Sequence, residues 1–305
     1  MNRKRLLLTG ASGLLGKSLE PAFRDAGYAV RPVVGPRTAS PFSTDLTDER
    51  RVNALFQAVE PEIVVHAAAK IFGVAGQQID MTAPVTDNVV LGARVLEACV
   101  KYGVWEVCLI SSSTVYPASA LDGVTDEYTP PNPDPIYGGV GNVKLFLEKL
   151  ARFYSQKTGR KLTIVRPTAL YGVHDHFDKT AHVIPQLVNR VLAGERPLRV
   201  WGLPTVTRDF VHADDAARGV LVAMEAGGTH NVSTGVPVTI QDLANLIWTA
   251  VHKKPPEPGD IVFDPSMPMT IPHRVASSRK LQALGWKPEV SLEQGIQQVV
   301  ESRRG

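Results

Sequence analysis

The run Arg5-Leu6-Leu7-Leu8-Thr9 gives way at once to Gly10-Ala11-Ser12-Gly13-Leu14-Leu15-Gly16, and an amphipathic stretch from Leu14 to Gly27 follows. A short, unbroken apolar run reads as a strand buried on both faces, as in parallel sheets covered by helices. Glycines at the turn let the chain reverse tightly, let its backbone approach a pyrophosphate, and let the helix pack close to the strand. An anion bound there would sit on the helix N-terminus, where unpaired N–H groups and the dipole favour negative charge. Gly10, Ser12, Gly13, Leu14, Leu15 and Gly16 are therefore assigned to a dinucleotide. The alternative is a plain glycine-rich turn, and the placement between strand and helix argues against it.

The strand–helix rhythm continues. A second strand, Ala29 to Val34, is followed by Gly35-Pro36-Arg37, with no carboxylate until Asp45-Leu46. An NAD site usually carries an acid at this point for the ribose hydroxyls. Its absence, with Arg37 and Arg31 available for a 2′-phosphate, favours NADP while leaving NAD open; a solvated loop arginine is the alternative. A helix over Glu49–Val59 precedes the strand Ile63–His66 and the small residues Ala67, Ala68 and Ala69, which suit close passage of a cofactor. A helix over Thr82–Lys101 leads to the strand Glu106–Ile110, which ends in Ser111-Ser112-Ser113-Thr114-Val115-Tyr116-Pro117. Hydroxyls at the carboxyl end of a parallel strand face the ligand crevice, and burying so many without partners would be costly. Pro135 to Lys144, rich in glycine, then feeds another amphipathic helix before a strand at Lys161–Arg166.

Alternation of this kind predicts an α/β fold with a doubly wound parallel sheet. From Pro167 the pattern becomes irregular, with a helix over His182–Leu192, short strands at Leu198–Trp201 and Arg208–His212, and helices at Ala213–Glu225, Asp242–Val251 and Leu292–Val300. The expected division is a dinucleotide-binding domain over 1–166, with 207–235 returning to it, and a smaller substrate lobe over 167–206 and 236–305. A net charge of +3 on 305 residues gives no basis for nucleic-acid or membrane binding, and no apolar run reaches membrane-spanning length. Cys99 and Cys108 lie in apolar-patterned segments and read as buried thiols of a reducing cytoplasm. His174, Asp175 and His176 lack a third spaced ligand, so no metal is expected.

Together these motifs resemble the extended short-chain dehydrogenase/reductase family of nucleotide-sugar epimerases, dehydratases and reductases. The resemblance rests on Gly10 to Gly16, His66 to Ala69, Ser111 to Tyr116, Lys144, Arg166-Pro167-Thr168, Tyr171-Gly172, Arg208 to Asp215, and Leu284 to Pro288. Within the family the chain looks most like the GDP-L-fucose synthases, through Ala67 to Lys70, Tyr116-Pro117, His182-Val183-Ile184-Pro185 and Val200-Trp201-Gly202. The resemblance implies a Rossmann-type sheet with a smaller C-terminal substrate-binding lobe. It also implies a homodimer through the helices near Thr82–Lys101 and Lys144–Thr158. Carried over by position, Ser112 holds the sugar oxygen at the reacting carbon, Lys144 binds the nicotinamide ribose and tunes the acid, and His182 donates a proton in epimerisation. Asp45, Leu46, Ala67 to Ala69, Pro167 and Thr168 join the cofactor site, while Arg190, Trp201, Arg208 and Arg274 join the substrate site.

Three departures bear on mechanism. The family's tyrosine, four residues before its lysine, is replaced by Val140. Tyr137 is the candidate to take over the acid role, and a structural loop tyrosine is the alternative. Thr114 stands where the fucose synthases carry an epimerising cysteine, and a threonine hydroxyl is a poor base. Ser277, beside Arg274, replaces an aspartate. The expectation is an NADP(H)-dependent reductase/epimerase of a nucleotide sugar, in particular a GDP-4-keto-6-deoxyhexose. The alternatives are a C4-epimerase that retains its cofactor, and a binding protein that has lost efficient catalysis.

Overall fold

The computed structural model describes residues 3–36, 38–70, 82–118, 123–178, 181–267 and 271–304. Five strands in the first part of the chain, β1 (Arg5–Thr9), β2 (Ala29–Val33), β3 (Ile63–His66), β4 (Glu106–Ile110) and β5 (Lys161–Pro167), lie parallel. Between them run the helices α1 (Leu14–Asp25), α2 (Glu49–Val59), α3 (Thr82–Lys101) and α4 (Gly138–Thr158). Strand faces alternate, so Leu6 and Leu8 enter one buried cluster with Leu15, Leu19 and Phe23 of α1, while Leu7 enters another with Val52, Phe56 and Val95 of α2 and α3. A sheet covered on both faces is why β1 reads as an unbroken apolar run.

The second part contributes β6 (Ala169–Tyr171), α5 (Val183–Leu192), β7 (Leu198–Trp201), β8 (Thr207–Arg208), β9 (Phe210–His212), α6 (Ala213–Ala226) and β10 (Gly228–Val232). Strand β10 joins the edge of the main sheet, giving the order β10-β5-β4-β3-β1-β2. After it come β11 (Val238–Thr239), α7 (Ile240–His252), β12 (Ile261–Asp264), β13 (His273–Arg274), α8 (Arg279–Gln282) and α9 (Leu292–Arg304). Helices α5, α7 and α9 share a separate core built on Leu187, Val188, Ile247, Trp248 and Val299.

Three expectations are corrected. The single strand expected over Arg208–His212 is two strands in different sheets, broken at the buried Asp209. Its carboxylate accepts from Thr234 N at 3.0 Å, Thr234 Oγ1 at 2.7 Å and Gly235 N at 3.1 Å, which turns the chain between β8 and β9. Leu281 and Trp286 fall within the expected substrate lobe, yet they pack in the first core against α6, with Trp286 Nε1 donating to Asp215 O at 3.0 Å. Finally, the glycine-rich stretch up to Lys144, expected to lead into a helix, is already helical for most of its length, since α4 begins at Gly138. A Cβ at position 141 would lie 2.6 Å from Thr114 O and 2.7 Å from Pro133 Cβ. That glycine permits close approach of helix to loop and is no turn residue.

Candidate active site

The carboxyl ends of β1 and β3 are joined tightly. Gly10 has φ +76°, and a Cβ there would lie 2.7 Å from Ala67 C and Ala68 N. Thr9 Oγ1 pairs with His66 Nδ1 at 2.8 Å and accepts from Ala68 N at 3.3 Å. At Gly16 a Cβ would be 2.1 Å from Gly10 O, so α1 starts directly against the turn. Its N-cap is Gly13, with no side-chain cap and no acid in the first turn, which leaves the helix N-terminus to an external anion. Ala67, Ala68 and Ala69 are half-buried beside it. Leu46 is buried, and Asp45 Oδ1 accepts from Thr47 N at 3.0 Å and Thr47 Oγ1 at 2.7 Å, hydrogen bonds that lower its carboxyl below the ordinary value. This glycine-lined gap, ending on an uncapped helix, fits a dinucleotide. Arg37 lies outside the described residues, and Arg31 stacks on Phe42, 4.6 Å from the ring centroid.

Beyond β4, Ser112 caps the 3₁₀ turn Ser113–Val115, its Oγ accepting from Thr114 N at 3.1 Å. A hydroxyl that accepts from the backbone keeps its own hydrogen to donate. The Thr114 hydroxyl oxygen is buried and meets no partner among the described residues. Lys144 is 8% exposed and its Nζ donates to Ile110 O at 2.7 Å. Burial pushes its ammonium down to about 8, a fall opposed by the charge of Glu148. Val140 stands four residues before Lys144 in the same helix, hence on one face of α4. On the next turn Glu148, fully buried, accepts from Arg166 Nε at 2.9 Å, Arg166 Nη2 at 2.6 Å and Ser111 Oγ at 2.5 Å. Arg166 also donates to Tyr116 Oη at 2.9 Å, and Tyr116 donates to Asn231 Oδ1 at 2.8 Å. This network ties α4, β4, β5 and β10 together beneath the serine turn, and Thr168 N closes its edge on Val232 O at 3.0 Å, next to Pro167.

The substrate-side residues divide. Arg208 and Arg274 are register partners on the parallel strands β8 and β13. Arg208 donates through Nη1 to Thr207 O at 2.6 Å and through Nη2 to Ile271 O at 2.8 Å. Arg274 is 7% exposed, and its Nε and Nη2 meet no acceptor among the described residues. Burial pushes Arg274 down to about 10; the Tyr137 phenol opposes that fall and Arg208 adds to it. Tyr137 is brought to this pair: its ring centroid is 3.9 Å from Arg274 Cζ, and its phenol oxygen is hydrogen-bonded to Arg208. The expected pairing of Tyr137 with Lys144 is not formed. Trp201 ends β7 and is 38% exposed. Arg190 is taken up by Glu195, at 2.6 Å from its Nε, and by the Arg199 carbonyl.

His182 is the N-cap residue of α5, and its Nδ1 lies 4.0 Å from Asp175 Oδ2. His176 Nδ1 lies 3.3 Å from the other oxygen of the same carboxylate. Burial raises Asp175, but the two imidazoles outweigh it and hold the carboxyl below the ordinary value. Sequence reasoning passed over Asp175 as an orienting partner. Its signal was an acid flanked by histidines seven residues before His182, weighed there only as a metal ligand.

Comparisons with known proteins bear on the family and the fold. The model of the NAD dependent epimerase/dehydratase family matches residues 6–234. The GDP-L-fucose synthase of Escherichia coli is 30% identical over 314 residues, spanning 97% of this chain and 95% of its own. That of Sinorhizobium fredii is 28% identical over 311 residues, spanning 99% and 96%. Among solved structures, UDP-glucose 4-epimerase of Thermus thermophilus, in complex with NAD, superposes with a TM-score of 0.87 at 26% identity over 99% of both chains. The chain belongs to the NAD-dependent epimerase/dehydratase family of nucleotide-sugar enzymes.

Proposed function

We propose that the protein is an NADP(H)-dependent reductase/epimerase of a nucleotide sugar, with a GDP-4-keto-6-deoxyhexose as substrate. The observation that carries the reading is the paired Arg208 and Arg274 in the second lobe, the latter with two buried donors awaiting an acceptor. Arginine N–H groups match phosphate oxygens in pairs, and a buried donor without a partner costs about 1–3 kcal/mol. A nucleotide sugar offers such a pair its diphosphate and leaves the sugar carbon for the hydride. The GDP-sugar assignment draws on the fucose-synthase relatives.

When bound, the nicotinamide supplies a hydride. Gly10, Ser12, Gly13 to Gly16, Asp45, Leu46, Ala67 to Ala69, Pro167 and Thr168 would hold the dinucleotide. Ser112 hydrogen-bonds the sugar oxygen at the reacting carbon and relays to it the proton that balances the hydride, drawn in turn from solvent. Lys144, kept close to β4 by Ile110 O, contributes positive charge there. His182, with its Nδ1 4.0 Å from the Asp175 carboxylate, exchanges a proton beside the sugar carbonyl in epimerisation. A homodimer through α3 and α4 accompanies this reading, supported by the exposed Phe146 and Phe153 on α4. Val140 favours a second reading, in which the site binds nucleotide sugar and cofactor with little hydride transfer.

The test is to incubate the protein with NADPH or NADH and a panel of GDP-, UDP- and dTDP-sugars, 4-keto forms included. Oxidation of NADPH with a GDP-4-keto sugar supports the reductase. Sugar interconversion without net cofactor change points to the C4-epimerase, and binding without turnover leaves the second reading.

A further inference from the structure

Among the described residues, Tyr137 is the one aromatic side chain set against Arg208 and Arg274, and its placement has a chemical use. We infer that Tyr137 is a positioning residue for the substrate diphosphate: its ring holds the Arg274 guanidinium by the face, so that the Nε and Nη2 edge is presented to a phosphoryl oxygen. The inference rests on the reading of Arg208 and Arg274 as the nucleoside-diphosphate site.

A guanidinium is planar, with its N–H bonds in the plane and its faces suited to stacking. Arg274 Cζ lies over the Tyr137 ring at 3.9 Å from its centroid, a separation at which the guanidinium lies flat on the ring and its in-plane donors stay clear. Nε and Nη2 remain buried without acceptors among the described residues. Arg208, in register on the adjacent strand, has its plane fixed by Thr207 O and Ile271 O, and the Tyr137 phenol spans from one arginine to the other. Two like charges side by side repel, so a ring against one of them and an anion in front are the natural complements.

The backbone of Tyr137 is itself held. Its N donates to Asp134 O at 2.9 Å, and Asp134 caps the 3₁₀ turn Pro135–Tyr137 through Ile136 N at 2.9 Å. Tyr137 is also the residue on which α4 starts. A phosphate seated on Arg274 therefore bears on the first turn of the helix that carries Val140 and Lys144. This gives the tyrosine a role in recognition, in place of proton transfer seven residues from Lys144, about 10 Å along a helix axis.

The test measures GDP and UDP binding by titration calorimetry, with NADP present, for the wild type, Tyr137→Phe and Tyr137→Leu. Tyr137→Phe keeps the stack and should bind within about twofold of wild type. Tyr137→Leu should weaken binding about thirtyfold, the size of a desolvated cation–π stack, and raise KM with kcat nearly unchanged. Arg274→Lys keeps the charge without the planar face and should weaken binding likewise, which covers a Tyr137→Leu variant that fails to fold. Tyr137→Leu binding as tightly as wild type overturns the inference alone. Tyr137→Phe with intact binding and collapsed kcat also overturns it and returns the phenol to the acid role. A wild type that binds neither GDP nor UDP overturns the phosphate site together with this inference.

Discussion

Replacing Gly141 with alanine sets two effects of known sign against each other. In an exposed helix the change would stabilise by up to about 1 kcal/mol, because glycine has more backbone entropy to lose. At this position the new methyl would lie 2.6 Å from Thr114 O and 2.7 Å from Pro133 Cβ, a carbonyl and a ring with no side-chain freedom to move aside. Overpacking of that kind costs about 1–3 kcal/mol. The net expectation is a loss of up to about 2 kcal/mol, read as a lower urea midpoint at unchanged m-value. The relief lies in moving α4 away from the Ser112 turn, which misplaces Lys144. Turnover should therefore fall about ten- to a hundredfold. Gly138→Ala is the internal control, since its Cβ would meet only Asn142 Nδ2, at 3.8 Å, and should be neutral or stabilising. A Gly141→Ala protein as stable as Gly138→Ala, with normal turnover, would refute the close-approach argument.

Glu148→Gln strands the buried Arg166 charge and should cost about 3–5 kcal/mol at pH 7. Arg166 holds the wild-type carboxyl below its ordinary 4.5, so its stabilisation is full above that pH and is lost as pH falls through the folded value. Urea titrations at pH 7 and pH 4 should show the gap between the two proteins narrowing in acid, and a constant gap contradicts this. Lys144 carries its charge below about 8 and loses it as pH rises through that value; kcat/KM should therefore have an alkaline limb there, and the residual activity of Lys144→Met should lack it. Asp175→Asn removes the carboxylate partner of His182 and should slow solvent-deuterium incorporation beside the sugar carbonyl. The loss extends up to the roughly hundredfold that a positioned acid–base group supplies, with nucleoside diphosphate binding unchanged as the control.

What the sequence made legible was local. The β1 turn into α1 is written in neighbouring residues, since an apolar run, three glycines and an amphipathic period each carry one physical demand. The helices α2 and α3 and the strands β3, β4 and β7 match their expected ends for the same reason. What stayed hidden depends on partners far along the chain. Tyr137 meets Arg274 only because β13 pairs with β8, a register of two residues that no periodicity announces. Asp209 breaks a strand because Thr234 and Gly235 come back to it. The need for glycine at 141 was not legible because the Thr114 carbonyl that requires it lies 27 positions earlier.

The central claim is hydride transfer to a nucleotide sugar, and isotope transfer tests it most directly. NADPH deuterated at both C4 positions of the nicotinamide would be incubated with the protein and a GDP-4-keto-6-deoxyhexose, and the nucleotide sugar analysed by mass spectrometry. The account predicts a product carrying one deuterium on the former carbonyl carbon, formed in step with NADP. Bound substrate recovered without deuterium, with NADPH intact, would contradict it.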